Sequence, residues 1–215
     1  TIIGGIGFLR GMPVTVVGIE KGVGTNDKVS HSFGSPWPEG YRKALRLFKQ
    51  AEKFRRPVIC FIDTSGANCG IGAEERGQGQ AIAENLCELM TLKTPVISVL
   101  IGEGGSGGAL ALGVADRVWM LENAVYSVIS PEGCASILWK DGRKAPLAAE
   151  KLRLTAEDML SFHIIEKIIP EKGRFNEEIY ENLKLDLRLE FDALQADLEN
   201  LTEKRYQRFR AISGF

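Results

Sequence analysis

The sequence predicts an α/β protein built around parallel strands, and three observations carry that prediction. Two short, mostly apolar runs, Val58 to Ile62 and Val96 to Ile101, have the length and composition of strands buried on both faces. Each is preceded by a stretch of helical periodicity, Tyr41 to Arg55 and Ala73 to Lys93. Each is followed by a glycine-rich loop. Strand and helix therefore alternate in the order that gives parallel pairing through right-handed crossovers.

The elements before and after that unit follow from local signals. Ile2-Ile3 and Ile6 to Leu9 precede Arg10-Gly11, and the β-branched run Val14 to Ile19 returns, so Thr1 to Lys21 reads as a hairpin. Gly22 to Gly40 has no periodicity and is expected as a long loop, of a kind that is often functional. In the first helix Tyr41, Ala44, Leu45, Phe48 and Ala51 share a face, and Pro57 ends the segment. In the second, Ile82, Leu86, Leu89 and Met90 turn inward. Arg117 to Leu121 and Val125 to Ile129 read as two further strands. Ser130-Pro131-Glu132 starts a helix, with serine at the cap and proline in the first turn. Helices over Ala145–Leu152 and Thr155–Phe162 and a strand over Ile164–Ile169 complete the pattern. From Asn176 the chain is helical, and Ile179, Leu183, Leu187, Phe191, Leu194, Leu198 and Leu201 form one apolar stripe. With Leu185 and Leu189 beside it, that stripe suits packing on its own domain or contact with another subunit.

Composition narrows the class. A chain of 215 residues is expected to form a single domain, with a core over residues 1–175 and a helical extension over 176–215. Lys and Arg number 27 against 28 Asp and Glu, a net charge of -1 that gives no global argument for nucleic acid. There is no apolar run of membrane-spanning length and no signal-peptide pattern, so neither membrane nor export is expected. Cys60, Cys69, Cys87 and Cys134 form no C-x-x-C pair, and the histidines are His31 and His163. Buried reduced thiols, a cytoplasmic location and no metal site are the expectation.

Residues 101–112 read IGEGGSGGALAL. Such a turn lets backbone approach a ligand and aims unpaired helix N–H groups at it, which stabilises negative charge. Three templates match. Gly102-x-Gly104-x-x-Gly107 fits the fingerprint of a dinucleotide-binding oxidoreductase, with Glu122 as the ribose-binding acid. Gly104-x-Ser106-x-Gly108 fits the nucleophile elbow of a serine hydrolase or peptidase, with His163 as base and Asp141 or Asp158 to orient it. Gly107-Gly108 at a helix start fits a backbone oxyanion hole. The plainest alternative is a tight turn whose glycines only let a buried helix pack closely. The Glu103 carboxylate and the short helix argue against a pyrophosphate. Nothing around His163 distinguishes it from a histidine at a strand edge. The oxyanion option gains from a second loop, Asp63 to Gly72, because loops at the carboxyl ends of neighbouring parallel strands face one crevice.

These stretches resemble the alpha subunit of the carboxyltransferase of multi-subunit, bacterial-type acetyl-CoA carboxylase. The resemblance is carried by PEGYRKALRL at 38–47, GAEERGQ at 72–78, IGEGGSGGAL at 101–110, SVISPEGCASILWK at 127–140 and RYQRF at 205–209. It implies a crotonase-like (ClpP/crotonase) spiral of ββα units with a C-terminal helical extension. It also implies transfer of a carboxyl group from carboxybiotin, held on a separate biotin carboxyl carrier protein, to acetyl-CoA. The product is malonyl-CoA for fatty acid biosynthesis. A carboxyltransferase beta subunit in an α2β2 assembly is the implied partner and carries the zinc-binding cysteines. The family usually reads TPGAYPG where this chain has Thr64-Ser65-Gly66-Ala67-Asn68-Cys69-Gly70, and it carries helical sequence ahead of the first hairpin. A trimmed N-terminus is therefore one expectation.

Carboxyl transfer to a thioester needs an enolate and a charged ureido oxygen, both of which backbone N–H groups can bind. The ureido anion itself can take the α-proton, so a site rich in glycine and poor in histidine suffices. Gly107 and Gly108 are the expected oxyanion turn, with a further donor from Gly70 and Ile71 and close backbone approach at Gly104 and Gly105. Ser106 is expected to cap the short helix. No G-x-x-x-x-G-K-[ST] occurs, so ATP-dependent loading of biotin is expected on another component.

Overall fold

A computed structural model describes residues 1–171 and 177–212. The chain opens with β1 (Ile2–Leu9) and β2 (Met12–Ile19), paired antiparallel in register from Ile2↔Ile19 to Leu9↔Met12. Arg10 and Gly11 both have positive φ, 45° and 85°, as a two-residue primed turn requires. The loop after β2 is less irregular than expected. It holds a short helix α1 (Thr25–Ser30) and a 3-10 turn over Ser32–Gly34.

Helix α2 (Pro38–Lys53) starts at Pro38, earlier than the expected Tyr41, because proline's fixed φ suits the first helical position. Pro38, Tyr41, Ala44, Leu47, Phe48 and Ala51 are its buried residues, with Leu47 taking the place expected for the half-buried Leu45. β3 (Val58–Thr64) follows, then α3 (Ile71–Glu75) and α4 (Gln78–Thr91). These two were expected as one helix from Ala73. Gly77, in the left-handed region at φ 80°, divides them.

β4 (Val96–Gly105) leads directly into α5 (Ser106–Gly113). Next come β5 (Arg117–Leu121), a short β6 (Val125–Ser127) and α6 (Pro131–Trp139), whose Ser130 cap accepts a bond from the Gly133 N–H as expected. Helices α7 (Ala145–Leu152) and α8 (Ala156–Ser161) precede β7 (Lys167–Ile169), which is shorter than the expected Ile164–Ile169. Asn176 and the expected boundary after residue 175 lie outside the described residues. Beyond them stand α9 (Glu177–Gln195) and α10 (Leu201–Ile212), two helices where one stripe suggested a single run.

The strands form one mixed sheet in the order β1-β2-β3-β4-β5-β7, with β6 paired to β4. Among the described residues every strand–strand pairing except β1–β2 is parallel, and one isolated antiparallel bridge joins Val125 to Thr155. α5 packs on β3, β4 and α4, and α2 packs on β1, β2 and α4. The apolar stripe of α9 faces inward: Ile179, Leu183, Leu187, Phe191 and Leu194 join the same core as the sheet, while Leu185 and Leu189 stay exposed.

Arg205 on α10 is 1% exposed and fully satisfied. Its Nε and Nη2 donate to the two carboxylate oxygens of Asp116, Nη1 to the Leu89 and Leu92 carbonyls, and Nη2 also to the Thr94 carbonyl. Asp116 in turn accepts the Val96 N–H at 2.7 Å. A buried guanidinium is tolerable only when paired and fully hydrogen-bonded, and this one ties the last helix to the start of β4.

Candidate active site at the ends of β3 and β4

β3 and β4 run in even parallel register from Val58↔Val96 to Ile62↔Leu100, then slip, so that Thr64 pairs with Gly104. β4 was expected to end at Ile101. It continues to Gly105, and its upper end leaves β5 for β6, pairing Glu103↔Val125 and Gly105↔Ser127. The glycines that made this stretch look like loop are strand residues without room for a side chain. A Cβ on Gly104 would lie 2.2 Å from Leu100 Cδ2 and 2.8 Å from Tyr126 Cδ2. On Gly105 it would lie 2.1 Å from the Ser65 carbonyl oxygen. The two glycine loops thus pack backbone against backbone.

α5 begins at Ser106, so the N–H groups of Ser106, Gly107 and Gly108 belong to the first helical turn, which has no acceptors within its own helix. The two central glycines differ. A Cβ on Gly108 would lie 2.4 Å from the Ala67 nitrogen and 3.0 Å from the Tyr41 hydroxyl, which donates to the Gly108 carbonyl at 3.2 Å. Burial pushes the Tyr41 phenol well above its ordinary pKa and keeps it a neutral donor. Gly107 meets nothing closer than Ile82 Cγ2 at 3.8 Å.

Ser106 does not cap α5. Gly105 holds the cap position without any side-chain bond, and Ser106 has φ 54°, a left-handed conformation at a strand-to-helix turn. The positive φ turns this residue out of helical geometry, so its side chain does not fold back on the first-turn amides. Ser106 and Gly107 instead border a cavity of about 600 Å³ walled by Leu110, Tyr126, Val128, Met159, Phe162 and Phe209. Arg208, at its edge, donates Nε to Glu166 and Nη2 to the Ile164 carbonyl, both at 2.6 Å.

Among the described residues, no His, Asp or Glu lines this cavity. His163 sits on an exposed turn at φ 57°, and no hydrogen bond joins it to Ser106. Asp141 is held below the usual carboxylate range by its bond to Arg143, and Asp158 by its bonds to Thr155 and Arg153. The constellation a serine nucleophile needs is not assembled. Nor is Glu122 a free ribose ligand, since it accepts the Glu171 N–H at 2.9 Å.

The second loop is shaped by side chains. Thr64 Oγ1 accepts the Gly66 N–H at 3.0 Å and donates to the Gly66 carbonyl at 2.9 Å. Asn68 Oδ1 accepts the Gly70 N–H at 2.8 Å, an Asx turn standing where the family has tyrosine and proline. Buried Gln78 donates to the Pro36 and Asn68 carbonyls. The Gly70 N–H is therefore engaged inside its own loop, while Ile71 opens α3 and is exposed. Cys69 and Cys87 are exposed, against the expectation of buried thiols, and Cys60 and Cys134 are buried. Cys69 is exposed because the loop turns on Asn68 and Gly70 and leaves the residue between them unpacked.

Three charged residues meet beside the two loops, and no motif pointed to their meeting. Lys21 Nζ lies 2.7 Å from Asp63 Oδ1 and 2.5 Å from Glu103 Oε2. Burial pulls the ammonium's pKa down, but the bonds to Asp63 and Glu103 outweigh it and raise the value overall. Asp63 Oδ1 also accepts the Glu103 N–H at 2.9 Å. The residues lie far apart in sequence; the available signal was a charge at the end of each of three successive strands.

Residues 1–213 match the family model described as acetyl co-enzyme A carboxylase carboxyltransferase-like. The chain is 60% identical over 210 residues to the acetyl-coenzyme A carboxylase carboxyl transferase subunit alpha of Streptococcus sanguinis strain SK36, covering 97% of this chain and 82% of that protein. It is 61% identical over 211 residues to the protein of the same name from Streptococcus equi subsp. zooepidemicus strain H70, with 98% and 82% covered. Among solved structures it is similar in fold to a Pseudomonas malonate decarboxylase hetero-tetramer in complex with coenzyme A, at TM-score 0.72 and 17% identity over 95% of this chain and 83% of that one. The transcarboxylase 12S core gives TM-score 0.68 and 19% identity over 79% and 33%. The fold is the crotonase type expected from the sequence.

Proposed function

Because the chain belongs to the family of acetyl-CoA carboxylase carboxyltransferase alpha subunits, we propose that its part in carboxyl transfer is played by the amide turn at Ser106–Gly108. The activity itself is that of the family, carboxyl transfer to acetyl-CoA in fatty acid biosynthesis. The observation that carries the assignment is the opening of Ser106 and Gly107, at the start of α5, onto the cavity of about 600 Å³.

The donor is carboxybiotin on a biotin carrier protein, and when bound it supplies the carboxyl group. The bicyclic ring suits apolar walls, and its ureido carbonyl and N-carboxylate suit a row of backbone donors. Leu110, Val128 and Phe209 exclude water from the ring. The Gly107 and Gly108 N–H groups hold the carbonyl-type oxygen on which charge develops, in fixed geometry and low dielectric. Gly104 and Gly105 support that turn by letting β4 pass close to Tyr126 and Ser65. Ile71 offers the further donor from the second loop, with Gly70 fixing the bend before it.

A carboxyltransferase beta subunit completes the site in an α2β2 complex, and the acyl-CoA lies mainly on that partner. Residues 1–175 and 176–215 act as one domain, core and helical extension together. Reaction takes place in the cytoplasm. The test is reconstitution: the purified chain alone makes no malonyl-CoA from carboxybiotin and acetyl-CoA, and addition of the beta subunit restores it. Robust turnover by the isolated chain would refute the shared site.

A further inference from the structure

We propose that Asp63 is a positioning residue for the amide turn, with Lys21 and Glu103 completing a brace; this rests on the assignment of that turn to the reaction. β3 and β4 lose their even register between Ile62 and Thr64, and Asp63 stands at the slip. There a side-chain oxygen takes over from the strand ladder, accepting the Glu103 N–H at 2.9 Å. Gly102 makes this possible, since a Cβ on it would lie 2.5 Å from Asp63 Oδ1.

Lys21 holds the carboxylate in place from the other side. Its Nζ contacts Asp63 and Glu103, and its stem lies against Gly34, where a Cβ would come within 2.4 Å of Lys21 Cγ. Gly34 itself has φ 78°, so both volume and backbone reserve that position for glycine. From Glu103 the strand runs through Gly104 and Gly105, both clamped by neighbouring atoms, into Ser106 and Gly107. A rigid path of that kind carries a shift at Glu103 into the first-turn amides. Asp63 uses its oxygen on the protein's own backbone and acts through the turn.

The experiment is malonyl-CoA formation by the complex reconstituted with the beta subunit, with assembly and melting followed in parallel. Asp63→Ala is expected to lower kcat roughly 10–100-fold, the scale of an ångström-level misplacement, with KM for acetyl-CoA and assembly unchanged and a lower Tm. Asp63→Asn keeps an oxygen for the Glu103 N–H and should recover most of that loss. Gly102→Ala displaces the carboxylate and should reproduce Asp63→Ala, and the double variant should be no worse than either. Wild-type kcat in Asp63→Ala, no recovery in Asp63→Asn, or additive losses would each overturn the brace. If Asp63→Ala fails to assemble, Gly102→Ala decides: low kcat in an assembled complex supports the brace, and wild-type kcat overturns it. Converting the Gly107 amide to an ester is the independent control. A crippled ester beside a normal Asp63→Ala removes the brace alone, whereas two normal rates remove the turn assignment as well.

Discussion

The two glycine loops look alike in sequence and are built on different physics. After β4, glycine is required for volume: the space a Cβ would need at Gly105 and Gly108 is filled by Ser65 and Ala67 backbone. After β3, side-chain bonds make the shape. Gly66 has open space around it and is required only for its φ of 148°, and Gly70 meets just the Asn68 side chain. A loop held by packed backbone admits no new letters, whereas one held by hydrogen bonds can exchange one device for another. Ser65, Asn68 and Cys69, which replace residues of the TPGAYPG pattern, stand in the second loop.

The largest expected effect breaks the comparison at its functional end. Replacing Gly107 by glycolic acid turns its N–H into an ester oxygen without adding volume. In the reconstituted complex this should lower kcat by roughly 10²–10³, the usual cost of one oxyanion donor. An ester enzyme with normal kcat would make this turn a packing device only.

A pair of alanines sharpens the contrast inside the turn. Gly105→Ala forces a methyl into the Ser65 carbonyl and should cost about 1–3 kcal/mol, read as a lower Tm. Gly107→Ala has room and should be neutral or stabilise by up to about 1 kcal/mol, since alanine is the better helix former. Equal melting shifts in the two would contradict the volume argument. In the other loop, Asn68→Ala removes one hydrogen bond and should cost about 0.5–1.5 kcal/mol while lowering transfer far less than the Gly107 ester, because it loosens the bend before Ile71 without removing an amide donor. A rate loss as large as that of the Gly107 ester would return Gly70 to the site.

The smallest effect concerns pH. The raised Lys21 pKa means that its contribution to stability is complete below the ordinary 10.5 and is lost as pH rises through the higher folded value. The Tm difference between wild type and Lys21→Met should therefore be level through neutral pH and shrink only under strong alkali. A difference that vanishes near neutrality would mean the ammonium is not held by Asp63 and Glu103.

Strands β3 and β4, the hairpin and α2 were legible because apolar runs and periodicity report burial directly. β4 beyond Ile101 was not, since glycine has no side chain to signal a strand, and only the facing Leu100, Tyr126 and Ser65 reveal why it is there. Gly77 hid a helix boundary for a related reason: inside an otherwise periodic run its left-handed backbone leaves no periodic trace. Gly107 and Gly108 were legible as candidate donors through their place after a strand, while the distinction between them required the position of Ala67. Lys21, Asp63 and Glu103 lay beyond sequence reasoning because their meeting is set by strand order and register.

Arg205 also bears on the order of events at the ribosome. Asp116, the carboxylate it neutralises, emerges long before it, and so do the Leu89, Leu92 and Thr94 carbonyls it binds. A nascent chain that has released β5 but not α10 holds a charge it cannot yet bury and lacks the Phe209 wall of the cavity. Domain-sized units fold as their chain becomes available, and the Asp116–Arg205 pair can form only once α10 has emerged. A chain cut short before Arg205 should leave Asp116 without its guanidinium partner and melt well below the intact protein.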